Sequence, residues 1–421
     1  MHQPNTPQKK KLIVIGGGAS GFFCAIQAAS FNPQLEIRLL EKSSKLLSKV
    51  KISAGGRCNV THACFSIPEM IKNYPRGDKF LKKAFHQFFT TDTIEWFKQK
   101  NVLLKTEPDG RMFPVSNNSQ TIVDCLLRSA EEHQIQIELN TQVTEIHTRK
   151  IDGRTSFEIM TTRNQGYVAD FVCVACGGFP KSSHFDWLTQ LGHQISPPVP
   201  SLFTFNMPGH SISRLMGIVV DPVRVKIMGT KMEQTGPLLI THWGMSGPAV
   251  LKLSAWAARE LEARNYKFRV QVNWLPAFTE QTLIQKFQEI RYEMAAQKIM
   301  NRNPFHLPTR FWEYVLLQCG IDPQIRWADL PAKAQNLLVK WLCTGEFEVN
   351  GKTTFKEEFV TSGGIKLDEV EVETMQSKIV KGLYFAGEIL DVDAITGGFN
   401  FQNAWTTGFI AAKSISGKFD K

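Results

Sequence analysis

The stretch KLIVIGGGASGFFCAIQAASFNPQLEIRLLE, Lys11 to Glu41, decides the fold. Its apolar run Leu12 to Ile15 stops at Gly16-Gly17-Gly18, a small-residue helical pattern follows from Ala19 to Ser30, and a second apolar run, Ile37 to Leu40, ends on Glu41. Strand, turn, helix and strand are therefore expected in that order. Gly16, Gly18 and Gly21 fit G-x-G-x-x-G, and each has its own reason to lack a side chain. Gly16 makes the tight turn, Gly18 lets a pyrophosphate approach the backbone, and Gly21 lets helix and strand pack closely. The helix start at Ala19 and Ser20 then points N–H groups and the positive end of its dipole at the phosphates. Glu41 is placed to accept hydrogen bonds from ribose hydroxyls. Its carboxylate would repel a 2′-phosphate, so the expected ligand is FAD or NAD and not NADP.

A chain of 421 residues is expected to form two to three domains. Its 43% apolar and 21% charged residues are ordinary for a soluble globular protein. Lys9 to Lys11 followed by an uncharged stretch to Leu35 imitates a signal peptide or membrane span. Gly16 to Gly18, Gln27, Asn32 and Pro33 interrupt that stretch, and a span needs about 20 predominantly apolar residues, so a cytoplasmic protein without a membrane segment is expected. The eight cysteines include one C-x-x-C, Cys173 and Cys176, but DFVCVAC from Asp170 to Cys176 reads as a buried strand, and no metal site is expected. The formal charge of +10 is uneven: residues 41 to 105 carry 13 Lys or Arg against 5 Asp or Glu. Solvated helix faces account for many of these lysines, and the rest are expected to face phosphates of a cofactor, a second nucleotide or RNA.

Lys42 follows the acid, and KSSKLLSKVKISAGGRCNVTH from Lys42 to His62 reads as a basic loop crossing the cofactor. Gly56 permits close backbone approach, Arg57 can neutralise a pyrophosphate, and Asn59 can donate and accept hydrogen bonds. Cys58 beside Arg57 is a weak candidate for an activated thiol, since a neighbouring cation lowers a thiol pKa. An amphipathic helix is expected over 78 to 100 and another from Thr121 to His133. Strands are expected at Gln136 to Leu139, Thr141 to Ile146, Phe157 to Thr161 and Tyr167 to Cys176, closing an adenine site near Val143 and ending at Gly177. Pro197, Pro198 and Pro200 mark a boundary, because prolines are poor in a central strand. Beyond them lies a β pattern, then from about Pro276 a helical one. The C-terminal GLYFAGE, with Gly387 and Glu388, is a strand ending in a glycine and an acid suited to a ribityl hydroxyl. TGGFNFQ, with Gly398, Phe399 and Asn400, leads into a helix over Asn403 to Ser416 whose first amides suit negative charge at the flavin N1/O2 edge.

KISAGGRCNVTH, THWGMSGPAVLKLS, TSGGIKLDEVEVETMQSK and GLYFAGEILDVDAITGGFNFQNAWTTG together resemble the YhiN-like family of FAD-binding proteins, also known as BaiN-like or aminoacetone-oxidase-like flavoproteins. The resemblance implies an α/β fold: a Rossmann-type FAD-binding domain of the two-dinucleotide-binding type with an inserted β-barrel-like domain and a helical subdomain. The expected bounds are 1–196 and 355–421 for the FAD domain, 197–275 for the β-rich insert and 276–354 for the helical insert. It also implies that the GGRCN loop and the segment through Asp391 to Asn400 line the flavin. The chain departs from the family at Ala54 and Ala394, where glycine is usual, and at Phe399 and Phe401, where Tyr and Leu are usual.

The expected activity is hydride exchange between noncovalent FAD and a small organic substrate, with NAD(P)H a candidate donor docking without a Rossmann unit of its own. A flavoprotein acting on RNA, or a flavin-binding protein serving only interactions, are the alternatives. His242 is a weak catalytic candidate, with Trp243, Met245 and Ser246 bordering a substrate pocket, against the plainer reading that they pack the β domain.

Overall fold

The computed structural model describes residues 9–151, 154–163, 165–353 and 360–417. The extreme N-terminus and the expected border at 354/355 lie outside the described residues. The chain divides into two compact units, Met1–Ser201 with Lys356–Lys421, and Leu202–Phe355.

The first unit is built on a five-stranded parallel sheet in the order Leu383–Phe385, Phe171–Val174, Lys11–Ile15, Glu36–Leu40, Gln136–Glu138. Its central strands are near-continuous apolar runs, as parallel strands covered on both faces must be. The helix Ala19–Phe31 is buried almost throughout and packs on the C-terminal helix Phe399–Ile415. Small residues permit this approach: a Cβ at Gly408 would lie 2.9 Å from the Ser20 carbonyl oxygen. Around that contact Phe23 meets Trp405 at 5.4 Å and Phe31 meets Phe409 at 5.5 Å between ring centroids. Fully buried rings such as Phe22 and Phe23 each contribute roughly 1.5 to 3 kcal/mol.

Three local expectations are corrected. The helix over 78 to 100 is two helices, Asp78–Ala84 and Thr90–Gln99, because Phe85, Phe88 and Phe89 between them are all buried and Asp92 caps the second by accepting from the Phe89 N–H at 2.7 Å. The run Tyr167 to Cys176 is two strands. Gly166–Ala169 closes an antiparallel meander with Val143–Ile151 and Arg154–Thr161, and the chain changes sheets at Asp170, whose N–H and carboxylate both bond the backbone of Lys11. The prolines after residue 196 lie inside a strand, Ile195–Ser201, paired antiparallel with Val360–Ile365. A register shift between Ser196 and Val199 takes Pro197 and Pro198 out of the ladder, so their missing N–H groups cost nothing.

His193 anchors that region. It is 2% exposed; its Nδ1 lies 3.0 Å from Glu369 Oε2 and its Nε2 lies 3.0 Å from Ser377 Oγ. Ser377 Oγ already accepts from the Ile379 and Val380 N–H groups, so its hydroxyl donates to Nε2 and Nδ1–H donates to Glu369. Burial holds the His193 pKa below its ordinary value, with Glu369 opposing. The unfolded chain therefore binds this proton more readily, and the stability His193 contributes is complete above about pH 6.5 and is lost as pH falls below it. The melting temperature is expected to fall on acidification through that window, and His193→Gln, which keeps a donor and an acceptor without a titratable ring, is expected to flatten the fall.

The second unit holds a seven-stranded antiparallel sheet in the order Gly345–Asn350, Lys267–Asn273, Val219–Ile227, Glu233–Thr241, Gly244–Ser246, Thr204–Asn206, Lys352–Thr353. Its two ends meet at Gly351, whose N–H donates to Tyr266 and whose carbonyl accepts from Asn206, closing a barrel-like sheet. The strand Gly345–Asn350 falls within the stretch expected to be helical, and its alternation of buried and exposed residues is the period of a half-buried strand. The helices Glu280–Glu293, Thr309–Gln318 and Ala332–Thr344 share one core with the barrel, where Trp274 contacts Phe311 at 4.5 Å and Trp341 at 5.7 Å. Among the described residues no helix is long and apolar enough to cross a membrane.

Candidate cofactor site

At the carboxyl edge of the parallel sheet the three fingerprint glycines have separable surroundings. Gly16 has φ +115°, and a Cβ there would lie 2.5 Å from the Ala175 carbonyl oxygen. A Cβ at Gly21 would lie 2.0 Å from the Gly16 carbonyl oxygen. At Gly18 a Cβ would meet nothing within 4 Å. Two glycines serve the protein's own packing and the third keeps space open. The helix from Ala19 has no side-chain cap, so its first amides face that space. Ser20 lies beside it, its Oγ 2.5 Å from where a Gly387 Cβ would stand.

On one side of the glycines Glu41 is fixed by its neighbours. Its Oε2 accepts from the Gly17 N–H at 2.8 Å, and its Oε1 accepts from the Ser43 N–H and hydroxyl, both at 2.8 Å. The carboxylate borders a cavity of about 400 Å³ lined also by Lys42, Val143, Cys176, Phe179 and Trp187. Lys42 reaches over the Phe179 ring at 5.6 Å. Burial pushes the Cys176 thiol up to about 12.

The basic segment expected to be a loop is helical over Ser48–Gly56 with a break inside it. Ala54, Gly55, Gly56 and Cys58 take φ values of +50°, +67°, +84° and +58°. Ala54 thus occupies the left-handed conformation that glycine adopts without a Cβ clash. One expectation changes here, that of Cys58. Arg57 donates to Glu107 Oε1 at 2.6 Å, a carboxylate it shares with Arg111, and lies 4.1 Å over the Phe113 ring. Cys58 is fully buried and burial pushes its thiol up to about 12, so its proton stays on near neutral pH and it is not an activated nucleophile. Asn59, 7% exposed, accepts from the Met112 N–H.

On the other side of the glycines stand Gly177 and the C-terminal segment. Glu388 accepts from the Thr361 N–H at 2.8 Å and from Lys49 Nζ at 2.6 Å, and it lies against Gly177 and Gly178. The Asp391 N–H donates to Ile365. Two residues on, Asp393 is wholly buried in a bidentate pair with Arg76 and accepts from Ser201 Oγ at 2.9 Å. Burial raises the Asp393 pKa, opposed by Arg76. The C-terminal helix begins at Phe399, four residues before the expected start. Gly398 caps it at φ +93°, where a Cβ would strike the Thr61 carbonyl at 2.5 Å. Asn400 closes the preceding turn by donating to and accepting from the Ala394 backbone, both at 3.0 Å. The Phe399 ring stacks on His62 at 4.6 Å, and its carbonyl accepts from Tyr74. Sequence reasoning singled out none of Thr361, His62, Tyr74, Arg76 and Asp393, although Thr361, His62 and Asp393 fall inside the motifs that carry the family resemblance.

His242 lies in the second unit, exposed at a hairpin tip with its ring 4.0 Å from Trp243. Met245 and Ser246, expected beside it at a pocket, belong to a buried barrel strand, Met245 pairing with Phe205 and Ile240.

These residues fit FAD. Thr361 Oγ1 and Asn403 Oδ1 are buried without a hydrogen-bond partner among the described residues, Gly18 keeps open space at a helix N-terminus, and the cavity beside Glu41 suits an adenosine. When bound, FAD supplies an isoalloxazine that accepts and returns a hydride. Ala19 and Ser20 would orient its phosphates, Glu41 its ribose, and Glu388 the flavin half. A parallel sheet with this carboxyl edge defines a Rossmann-type, FAD-dependent oxidoreductase. The chain belongs to the family described as the HI0933-like protein Rossmann domain, which matches residues 10–414. It is 29% identical to the ribosomal RNA dihydrouridine synthase of Escherichia coli over 96% of this chain and 97% of that one. It is 26% identical to the 3-dehydro-bile acid delta(4,6)-reductase of Clostridium scindens over 96% and 98%. The structure of 3-ketosteroid-delta4-(5alpha)-dehydrogenase from Rhodococcus jostii superposes with a TM-score of 0.51 at 13% identity, covering 97% of this chain and 98% of that one, a likeness of fold.

Proposed function

We propose that the protein reduces a carbon–carbon double bond conjugated to a carbonyl, that its substrate is a pyrimidine base in ribosomal RNA, and that NAD(P)H is the donor. The names of both relatives describe saturation of such a bond, in uridine and in a 3-oxo steroid. A hydride reaches the β-carbon and a proton the α-carbon, so a reduced flavin and one acid suffice. The observation that favours RNA is charge. Lys42, Lys45, Lys51, Lys79, Lys82 and Lys83 are exposed with no ion-pair partner among the described residues. Unpaired cations of this kind are what a phosphate backbone recruits. The sheet of the second unit is antiparallel throughout, which supports nicotinamide docking without a Rossmann unit there and ping-pong kinetics. The eight free cysteines support a reducing compartment, the cytoplasm.

The test bleaches the holoprotein anaerobically with NADH or NADPH, then adds ribosomal RNA or a steroid dienone. RNA is expected to restore the oxidised spectrum and to gain dihydrouridine, with binding that weakens steeply as salt rises. RNA that neither binds at moderate ionic strength nor reoxidises the flavin would sink this reading, and reoxidation by the dienone alone would establish the small-molecule one.

A further inference from the structure

The cavity of about 400 Å³ beside Glu41 has the size of an ordinary small-molecule pocket. Three parts of the first unit line it: the strand ends at Ile15 and Leu40, the start of the meander at Val143, and the turn Ser182–Phe185 with the short helix Asp186–Thr189 that follows it. Its aromatic side chains are Phe179, His184 and Trp187. Phe179 is 9% exposed, with Lys42 over its ring at 5.6 Å, Phe185 edge-on to it at 4.9 Å and His184 edge-on at 5.8 Å, so the protein itself covers most of that ring. Trp187 differs. Its neighbours in sequence Phe185 and Leu188 are fully buried and anchor its turn, whereas Trp187 is only half-buried, and no ring or cation lies against it among the described residues. Its Nε1–H donates to the His184 carbonyl at 3.0 Å, which ties the indole to its own turn and satisfies its one polar group. What remains is aromatic surface that borders a cavity, so a ligand in the cavity touches it.

We propose that Trp187 is the residue on which the adenine of FAD packs. With the ribose at Glu41 and the phosphates at the Ala19 helix start, the base carried by that ribose enters the cavity that Glu41 borders. A purine gains most from aromatic contact on its flat faces, and Trp187 is the aromatic side chain there that no other ring or cation engages. Such packing rewards the presence of a base and is indifferent to the flavin at the other end of the cofactor. Because the indole is half-buried and its N–H bonds only its own turn, replacing Trp187 is expected to leave the cofactor-free melting temperature within a few degrees of wild type.

The full chain, stripped of FAD, is titrated with FAD and separately with ADP, which carries the adenosine and both phosphates but no flavin. Trp187→Ala is expected to weaken ADP about tenfold, the effect of one lost base–aromatic stack, and to weaken FAD by the same factor. Trp187→Phe, which keeps an aromatic face, is expected to bind both close to wild type. Tryptophan emission supplies a readout that a merely structural role would not move. Adenine packed on an indole quenches it, so ADP is expected to dim the wild-type protein and to quench the Phe variant less, although that variant binds ADP. Unchanged ADP affinity in the Ala variant, or equal quenching by ADP in wild type and the Phe variant, would overturn the assignment. Should the Ala variant fail to fold, Trp187→Leu, which fills space without an aromatic face, takes its place: loss of ADP and FAD in parallel supports the contact, and unchanged affinity overturns it.

Discussion

Gly18→Val is expected to abolish FAD binding while leaving the fold intact. The space around a Cβ at Gly18 is empty of protein to 4 Å, and the backbone there, φ −95° and ψ −171°, is extended and open to any residue. No protein atom crowds the first carbon of the new side chain, and the cost of a poorer helix cap is about 1 kcal/mol. It occupies the position from which the first amides of the helix reach a phosphate. The purified variant is expected to be colourless, with FAD affinity reduced by about a hundredfold or more and a cofactor-free melting temperature within a few degrees of wild type. A yellow variant with ordinary affinity would show that the phosphates do not pass over Gly18.

Three residues further on, Gly21→Ala is expected to fail in the opposite way. Helix propensity alone predicts that alanine stabilises a helix interior by about 1 kcal/mol. The packing opposes it, since the added methyl would stand 2.0 Å from the Gly16 carbonyl oxygen, a distance that only displacement of helix from turn can relieve. Overpacking against backbone outweighs propensity, and a loss of about 3 kcal/mol or more is expected, read as a large drop in melting temperature or as insoluble protein. A variant of unchanged or raised stability would mean that the helix can shift freely.

The opposite fates assigned to these two glycines show what was legible in the sequence. Gly21 and Glu41 act through Gly16 and Gly17 within one β-α-β unit, so spacing alone predicts their surroundings, whereas Gly16 is also held by the distant Ala175 carbonyl. Arg57 and Cys58 are adjacent in sequence and read as a reactive pair, but Glu107 and Phe113 claim the guanidinium and burial claims the thiol. Those partners lie some fifty residues away and leave no local trace. The same is true of Asp393 with Arg76 and Ser201, a buried cluster assembled from three distant segments. The break between the two helices after residue 84 was hidden because its phenylalanines also suit an amphipathic stripe. The prolines misplaced the border because a bulged, two-stranded ladder tolerates what a central strand does not.

The pairing of the first helix with the last has a consequence for how the protein is made. Ala19–Phe31 leaves the ribosome before its cover, Phe399–Ile415, and the edge strand Leu383–Phe385, which lie more than 350 residues further along the chain. At 5 to 20 residues per second the nascent chain waits roughly 20 to 80 s with Phe23 and Phe31 lacking Trp405 and Phe409. The second unit, contiguous in sequence, can complete its barrel within that interval. A chain stopped before residue 399 would therefore carry the entire dinucleotide fingerprint yet present it on an uncovered helix.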